Sequence, residues 1–244
     1  MVYNRTEIIL EAYPFEFTDI QKGRGAYLCT DQNGGRKILK EFSGSLSKAE
    51  LLGRFLLFLK EHGILAEQIV YTAEGQALFT DADETRYYMR TWFEGKECDT
   101  RNREDILCAV RRLAQLHLHT AAFDEALPDT MCRETDFLEK EYERHTRELH
   151  KVRNYIKAKK KKNEFEAHFL NEYHYYLRQA EEAYERVKEL DEKPDPAFFG
   201  VCHGDYSQHN LLFTPQGAVI INYERFCRDA YMSDFAHFFR KIME

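Results

Sequence analysis

His203-Gly204-Asp205-Tyr206-Ser207-Gln208-His209-Asn210 lies between two apolar runs, Phe198 to Cys202 and Leu211 to Phe213. The pattern is that of a polar loop delivered by one strand and closed by the next. An Asp held at a strand end can accept a proton from an attacking hydroxyl. An Asn five residues on can offer its carbonyl oxygen to a divalent cation on a nucleotide's phosphates, which is the division of labour phosphoryl transfer needs. A polar turn of ordinary composition would place His, Gly, Asp and Asn at these four positions in roughly one chain in a thousand of this length. Asp205 is therefore the candidate base and Asn210 a candidate metal ligand.

Downstream, Leu211-Leu212-Phe213 and Ala218-Val219-Ile220-Ile221 flank Thr214-Pro215-Gln216-Gly217, a hairpin signal with Pro and Gly placed for a tight reversal. The hairpin delivers Asn222-Tyr223-Glu224. A cation on phosphates is best served there by a carboxylate, and Asn222, the second candidate metal ligand, offers only a neutral amide oxygen. Glu224 has the charge but lies two residues on, so its use requires a rearranged backbone.

Upstream, Ala26-Tyr27-Leu28-Cys29-Thr30 leads through Asp31-Gln32-Asn33-Gly34-Gly35 into Lys37-Ile38-Leu39-Lys40-Glu41-Phe42, a β-hairpin around an Asn-Gly turn. Alternation puts Ile38, Lys40 and Phe42 on one face and Lys37, Leu39 and Glu41 on the other. Lys40 is the candidate phosphate lysine, with Lys37 the alternative if the register slips by one. Ser47 to His62 reads as an amphipathic helix with Ser47 as cap, Glu50 at the capping-box position and a stripe of Leu51, Leu52, Phe55, Leu56 and Leu59. Ala77 to Thr80 and Arg86 to Phe93 complete an expected five-stranded sheet. Lys22-Gly23-Arg24-Gly25 reads as an ordinary turn.

A helix is expected from Asn102 or Arg103 through Leu116, with His117 packing against its surroundings. Thr135 to Leu190 reads as two helices joined near Asn163, and the lysine run Lys157 to Lys162 as a solvated helix end. Lys193-Pro194-Asp195-Pro196 closes this helical stretch.

The 244 residues suffice for two lobes. Hydrophobic residues at 43%, charged residues at 32% and a net charge of −7 argue against wholesale disorder and against a nucleic-acid footprint. No run reaches the roughly 18 apolar residues of a membrane span, and the amino terminus lacks an export signal. Six scattered cysteines without CxxC pairing point to reduced thiols in a cytoplasmic protein.

"HGDYSQHN" resembles the catalytic loop of the protein-kinase-like superfamily in the spelling of aminoglycoside and choline phosphotransferases. "ILK", "WFEG" (Trp92 to Gly95), "LAQLH" (Leu113 to His117) and "SDFAHFFRKIME" (Ser233 to Glu244) extend the resemblance over most of the chain, and together they are most similar to the CotS-type spore coat branch. The resemblance implies an α+β, bilobal fold, with a small antiparallel-sheet nucleotide-binding lobe over 1–93 and a mostly helical lobe over 94–244. It implies ATP and Mg as cofactors, an unidentified acceptor, Glu50 paired with Lys40, a hinge at "WFEG", and association with other spore coat proteins. Family members continue past Glu244, so a truncated helical lobe is expected. The resemblance leaves two readings: an active kinase, or a pseudokinase-like structural component of the coat.

Overall fold

A computed structural model describes residues 5–23, 25–123, 126–132, 136–189 and 196–243, the side chains of 136–138 and 196 excepted. The chain divides into two compact units, Met1–Leu127 with Gly200–Glu244, and Pro128–Phe199. The sheet and the loop at 203–210 share the first unit.

The first unit opens with helix α1 (Arg5–Glu11), which the sequence did not announce, followed by β1 (Phe17–Lys22), β2 (Ala26–Asp31) and β3 (Arg36–Glu41). Helix α2 (Leu46–Glu61) precedes β4 (Ile69–Val70), β5 (Phe79–Thr80) and β6 (Arg86–Thr91). These strands form one antiparallel sheet in the order β1-β2-β3-β6-β4, with β5 also on β6. It has six strands rather than five: β4 is two residues long, too short for a pattern to announce.

Asp31 fixes the β2–β3 turn. Its Oδ1 accepts from the amides of Asn33 and Gly35, at 2.9 and 2.8 Å, while Gly34 takes a φ of 79°. The register opposes Lys40 to Tyr88 and Ile38 to Arg90 across β3 and β6. Alternation then sends Lys40, Tyr88 and Arg90 to one face of the sheet. The other face holds Leu39, Tyr87 and Met89 in a core with Ile9, Leu10 and Tyr13 of and after α1.

Ser45, not Ser47, caps α2, its hydroxyl accepting from the Lys48 amide at 3.2 Å. The helix therefore begins two residues earlier than expected, which takes Glu50 out of the capping-box position. Leu51, Leu52, Phe55, Leu56 and Leu59 are buried as the stripe required. Phe55 stacks on Phe226 and meets Tyr223 edge-on, at ring distances of 5.0 and 5.8 Å, which ties α2 to the turn after the second hairpin.

Beyond the sheet come β7 (Lys96–Glu97) and α3 (Arg103–Thr120), the latter capped by Asn102. Then, after the second unit, come β8 (Phe199–Cys202), β9 (Leu211–Thr214), β10 (Gly217–Ile220), β11 (Cys227–Ala230) and, last, a helix at Tyr231–Met243. The β9–β10 hairpin closes around Pro215-Gln216 as read from the sequence, and β7 pairs with β9. β8 pairs with β11, a strand the sequence reading missed.

The second unit is a pair of helices, α4 (Asp136–Ala158) and α5 (Glu164–Glu189). The final helix, Tyr231–Met243, is accordingly α6. Asn163 begins α5 with a reciprocal cap: its Oδ1 accepts from the Glu166 amide at 2.8 Å, and its own amide donates to Glu166 Oε2 at 3.0 Å. Lys159 closes the junction on Glu166 at 2.5 Å, so one lysine of the run has a local structural partner. Lys193-Pro194-Asp195 lies outside the described residues. None of the described helices is long and apolar enough to cross a membrane.

Candidate active site

β8 ends at Cys202, and the chain turns sharply through His203 and Gly204. Gly204 has a φ of 78°, and a Cβ there would lie 2.0 Å from the carbonyl oxygen of Arg225, so only glycine fits. The turn is held by Asp234, whose side chain is 1% exposed: Oδ2 accepts from the His203 amide at 2.7 Å and Oδ1 from the Gly204 amide at 2.9 Å. His117 supports the same carboxylate, its Nε2 3.0 Å from Oδ2 and its ring stacked on Tyr231. Burial pushes the Asp234 pKa up, but the hydrogen bond from His117 and the His203 group outweigh it and hold the carboxyl below its ordinary value.

His203 is itself fully buried. Its Nε2 lies 2.9 Å from the Ile221 carbonyl, which only an N–H can satisfy, and its Nδ1 accepts from the Asp205 amide at 3.1 Å. The ring therefore donates through Nε2 and accepts at Nδ1, both with backbone groups of the site. Asp205 projects from this rigid turn with its side chain 34% exposed. One carboxylate oxygen, Oδ1, lies 3.3 Å from His237 Nε2 on α6. Burial lowers the pKa of His237, against the pull of Asp205 in the other direction.

Asn210 ends the loop in a 3-10 turn, and its Nδ2 donates to the Asp205 carbonyl at 2.7 Å. Asn222 sits just past β10 in the left-handed region, φ 67° and ψ 52°, which Asn tolerates. Its Nδ2 donates to Asn210 Oδ1 at 2.7 Å, and its Oδ1 accepts from Arg90 NH2 at 2.8 Å. Arg90 is in turn paired through NH1 with Glu67, a side chain 1% exposed, whose Oε1 accepts from the amides of Asn222 and Tyr223 at 2.9 and 3.2 Å. One buried carboxylate therefore fixes both the backbone of the turn and the guanidinium that holds its side chain.

Lys40 reaches this turn from the sheet: its Nζ donates to Glu224 Oε1 at 2.6 Å, and the Tyr88 hydroxyl donates to the same oxygen. Burial alone would raise the pKa of Glu224; Lys40 and Tyr88 outweigh it and keep the carboxylate ionised. The lysine's acidic partner is thus Glu224 and not the expected Glu50, which is exposed on α2. Lys37, the alternative lysine, is on the opposite face, 2.5 Å from Asp31 Oδ2 and over the Phe15 ring. Lys40 also lines a cavity of about 240 Å³ together with Lys22, Gly23, Gly25, Tyr27 and Tyr87. The Gly23 amide donates to Ala26 O at 2.8 Å within the ordinary turn expected there, and Arg24 lies outside the described residues.

The structure thus brings Lys40, Asn210, Asn222 and Asp205 into connected networks. A divalent cation on phosphates calls for anionic oxygens with free lone pairs. Asn210 and Asn222 offer neutral amide oxygens, that of Asn222 facing the Arg90 guanidinium, and Glu224 has its Oε1 held by Lys40 and Tyr88. As arranged, these donors do not fit a divalent cation. Among the described residues one group of three potential ligands lies close together, His117, Cys202 and Asp234, and its carboxylate is consumed by the loop amides.

Sequence reasoning missed Asp234, Glu67, Arg90 and His237. Glu67 and Arg90 carried a signal: each is a charge inside a short apolar run, Ile64 to Val70 and Tyr87 to Met89 with its continuation. Asp234 and His237 lay in the phrase Ser233 to Glu244 that extends the resemblance, but nothing local to either residue marked it as part of the site.

Residues 16–244 match the family described as phosphotransferase enzyme family, APH. No curated protein sequence matches the chain. An aminoglycoside phosphotransferase from Alicyclobacillus acidocaldarius superposes with a TM-score of 0.80 at 20% identity, over 100% of this chain and 73% of that one. An amicoumacin kinase in complex with AMP-PNP, Ca2+ and Ami gives 0.66 at 14%, over 99% and 70%. A spectinomycin phosphotransferase in complex with ADP and spectinomycin gives 0.66 at 13%, over 96% and 73%. At these identities the likeness is one of fold, and the fold is the kinase-like one.

Proposed function

We propose, because this chain belongs to the phosphotransferase enzyme family, that it transfers the terminal phosphoryl group of ATP to a hydroxyl-bearing acceptor, with Asp205 as base. The observation that carries this reading is the open carboxylate of Asp205 on a turn whose backbone is clamped by the buried Asp234. Such a base is rigid in position yet reachable. The acceptor oxygen attacks the γ-phosphorus, its proton passes to Asp205, and the bond to the β–γ bridging oxygen breaks with ADP as leaving group. Lys40, aimed by Glu224, supplies positive charge toward the phosphates. Asn210 holds the Asp205 carbonyl and so the shape of the loop.

The test is ATP turnover with Asp205→Asn beside the wild-type chain. Nucleotide binding retained with turnover lost supports the base assignment; equal turnover in both removes it.

A second reading, a kinase-like component without efficient catalysis, is favoured by the Asn222 amide held by Arg90 where a carboxylate would serve phosphate chemistry better. The finer placement in the CotS-type branch rests on the sequence phrases and on the Tyr- and Lys-rich helical pair. A fluorescent fusion in an endospore-forming host tests it: signal on the forming coat supports the placement, and signal spread through the mother cell refutes it.

A further inference from the structure

We infer that this site takes a nucleoside triphosphate without a divalent cation, because Arg90 holds Asn222 away from metal ligation and Lys40 supplies the charge toward the phosphates. The inference rests on the proposed nucleotide site and deepens it.

Three side chains and a backbone carbonyl form a chain of donors running one way. Arg90 NH2 donates to Asn222 Oδ1, Asn222 Nδ2 to Asn210 Oδ1, and Asn210 Nδ2 to the carbonyl of Asp205. Each amide orientation is fixed by its neighbours. Turning Asn222 over would point its N–H groups at a guanidinium that can only donate, and its oxygen at the Asn210 oxygen. Turning Asn210 as well would point its oxygen at the Asp205 carbonyl. The chain begins at a group that cannot lose its proton and ends at an oxygen that cannot gain one.

Arg90 cannot withdraw at low cost. It is buried on β6 and paired with the buried Glu67, whose other oxygen holds the backbone of Asn222 and Tyr223. Its Nε already lacks a hydrogen-bond partner. A dication on Asn222 Oδ1 would share that oxygen with NH2 and sit beside a buried guanidinium, one positive charge against another. The carboxylate that could offset this, Glu224, is held by Lys40 and Tyr88. Phosphates meeting this surface find the Lys40 ammonium and two neutral amides; the carboxylates beside them are Glu224, whose Oε1 is held by Lys40 and Tyr88, and Asp205, the proposed base.

The experiment is calorimetric titration of the full chain with ATP, in excess EDTA and in excess magnesium. Dissociation constants within about threefold of each other are expected. Tighter binding in magnesium by more than that overturns the inference while leaving the nucleotide site standing. No binding in either arm removes both. The role of Arg90 is read from the double variant Arg90→Met/Glu67→Gln, which removes both buried charges together, and from Asn222→Asp, which keeps the shape and supplies a carboxylate. Both are expected to make ATP binding depend on magnesium by about tenfold or more. If the double variant does not fold, as its melting curve reports, Asn222→Asp decides; magnesium independence persisting in the folded variants overturns the assignment to Arg90.

Discussion

Lys40 and Glu224, 184 residues apart in sequence, meet at 2.6 Å, Nζ to Oε1, with the Tyr88 hydroxyl on the same carboxylate oxygen. In this chain the strand lysine takes its acid from the turn after the second hairpin, and α2 contributes Phe55 to that turn instead of a carboxylate. The ion pair joins the sheet directly to the segment that carries Asn222.

This arrangement separates the two lysines of β3 by experiment. Lys40→Met should weaken ATP binding about tenfold. Lys37→Met should leave binding unchanged and lower the melting temperature, because it strands the buried Asp31 carboxylate that organises the β2–β3 turn. Glu50→Gln should change neither quantity. Calorimetry and a melting curve on the three variants decide, and loss of ATP affinity in Lys37→Met would invert the assignment.

Asp234 should be the most sensitive carboxylate of the fold. Asp234→Asn replaces an acceptor of two backbone amides and His117 with a group that can accept on one atom only. The expected cost is about 2–4 kcal/mol, read from denaturant unfolding. Its folded pKa is depressed, so the unfolded chain binds the proton more readily. The stability it contributes is therefore present above the ordinary aspartate value, about pH 4, and is lost as pH falls through the lower folded value. The wild-type melting temperature should fall more steeply than that of Asp234→Asn below pH 4.

Gly204→Ala should cost at least about 3 kcal/mol, because it combines a positive φ with a backbone oxygen that cannot move aside. A stable, fully folded Gly204→Ala chain would contradict the loop geometry.

His237 bears on Asp205 from α6. Burial keeps it neutral near pH 7; on acidification it becomes a cation 3.3 Å from the carboxylate proposed as base. The rate–pH profile of ATP turnover should therefore fall on the acid side, and His237→Gln should move that limb to lower pH. An unmoved limb would separate His237 from the chemistry.

The Asn-Gly hairpin, the stripe of α2, the β9–β10 reversal and the polar loop at 203–210 were legible because each is written in short-range chemistry: turn residues, period-two alternation, period-3.6 stripes. The register of β3 was legible for the same reason, and with it the face of Lys40. The helix start at Ser45 was misplaced by two residues because two serines compete for one cap. Strands of two residues, such as β4 and β7, leave no period to read.

The sequence by itself determined the phosphotransferase family, the sheet-and-helix composition, the loop bearing Asp205 and Asn210, and the amide of Asn222 past the second hairpin. Only the tertiary structure decided which charges face one another. Glu67 and Asn222 are 155 residues apart, Arg90 and Asn222 are 132, and Asp234 and Gly204 are 30. Local pattern does not encode such pairs. They arise when packing brings groups out of water, where each buried charge and each backbone amide must find a partner in whatever segment the fold has placed beside it.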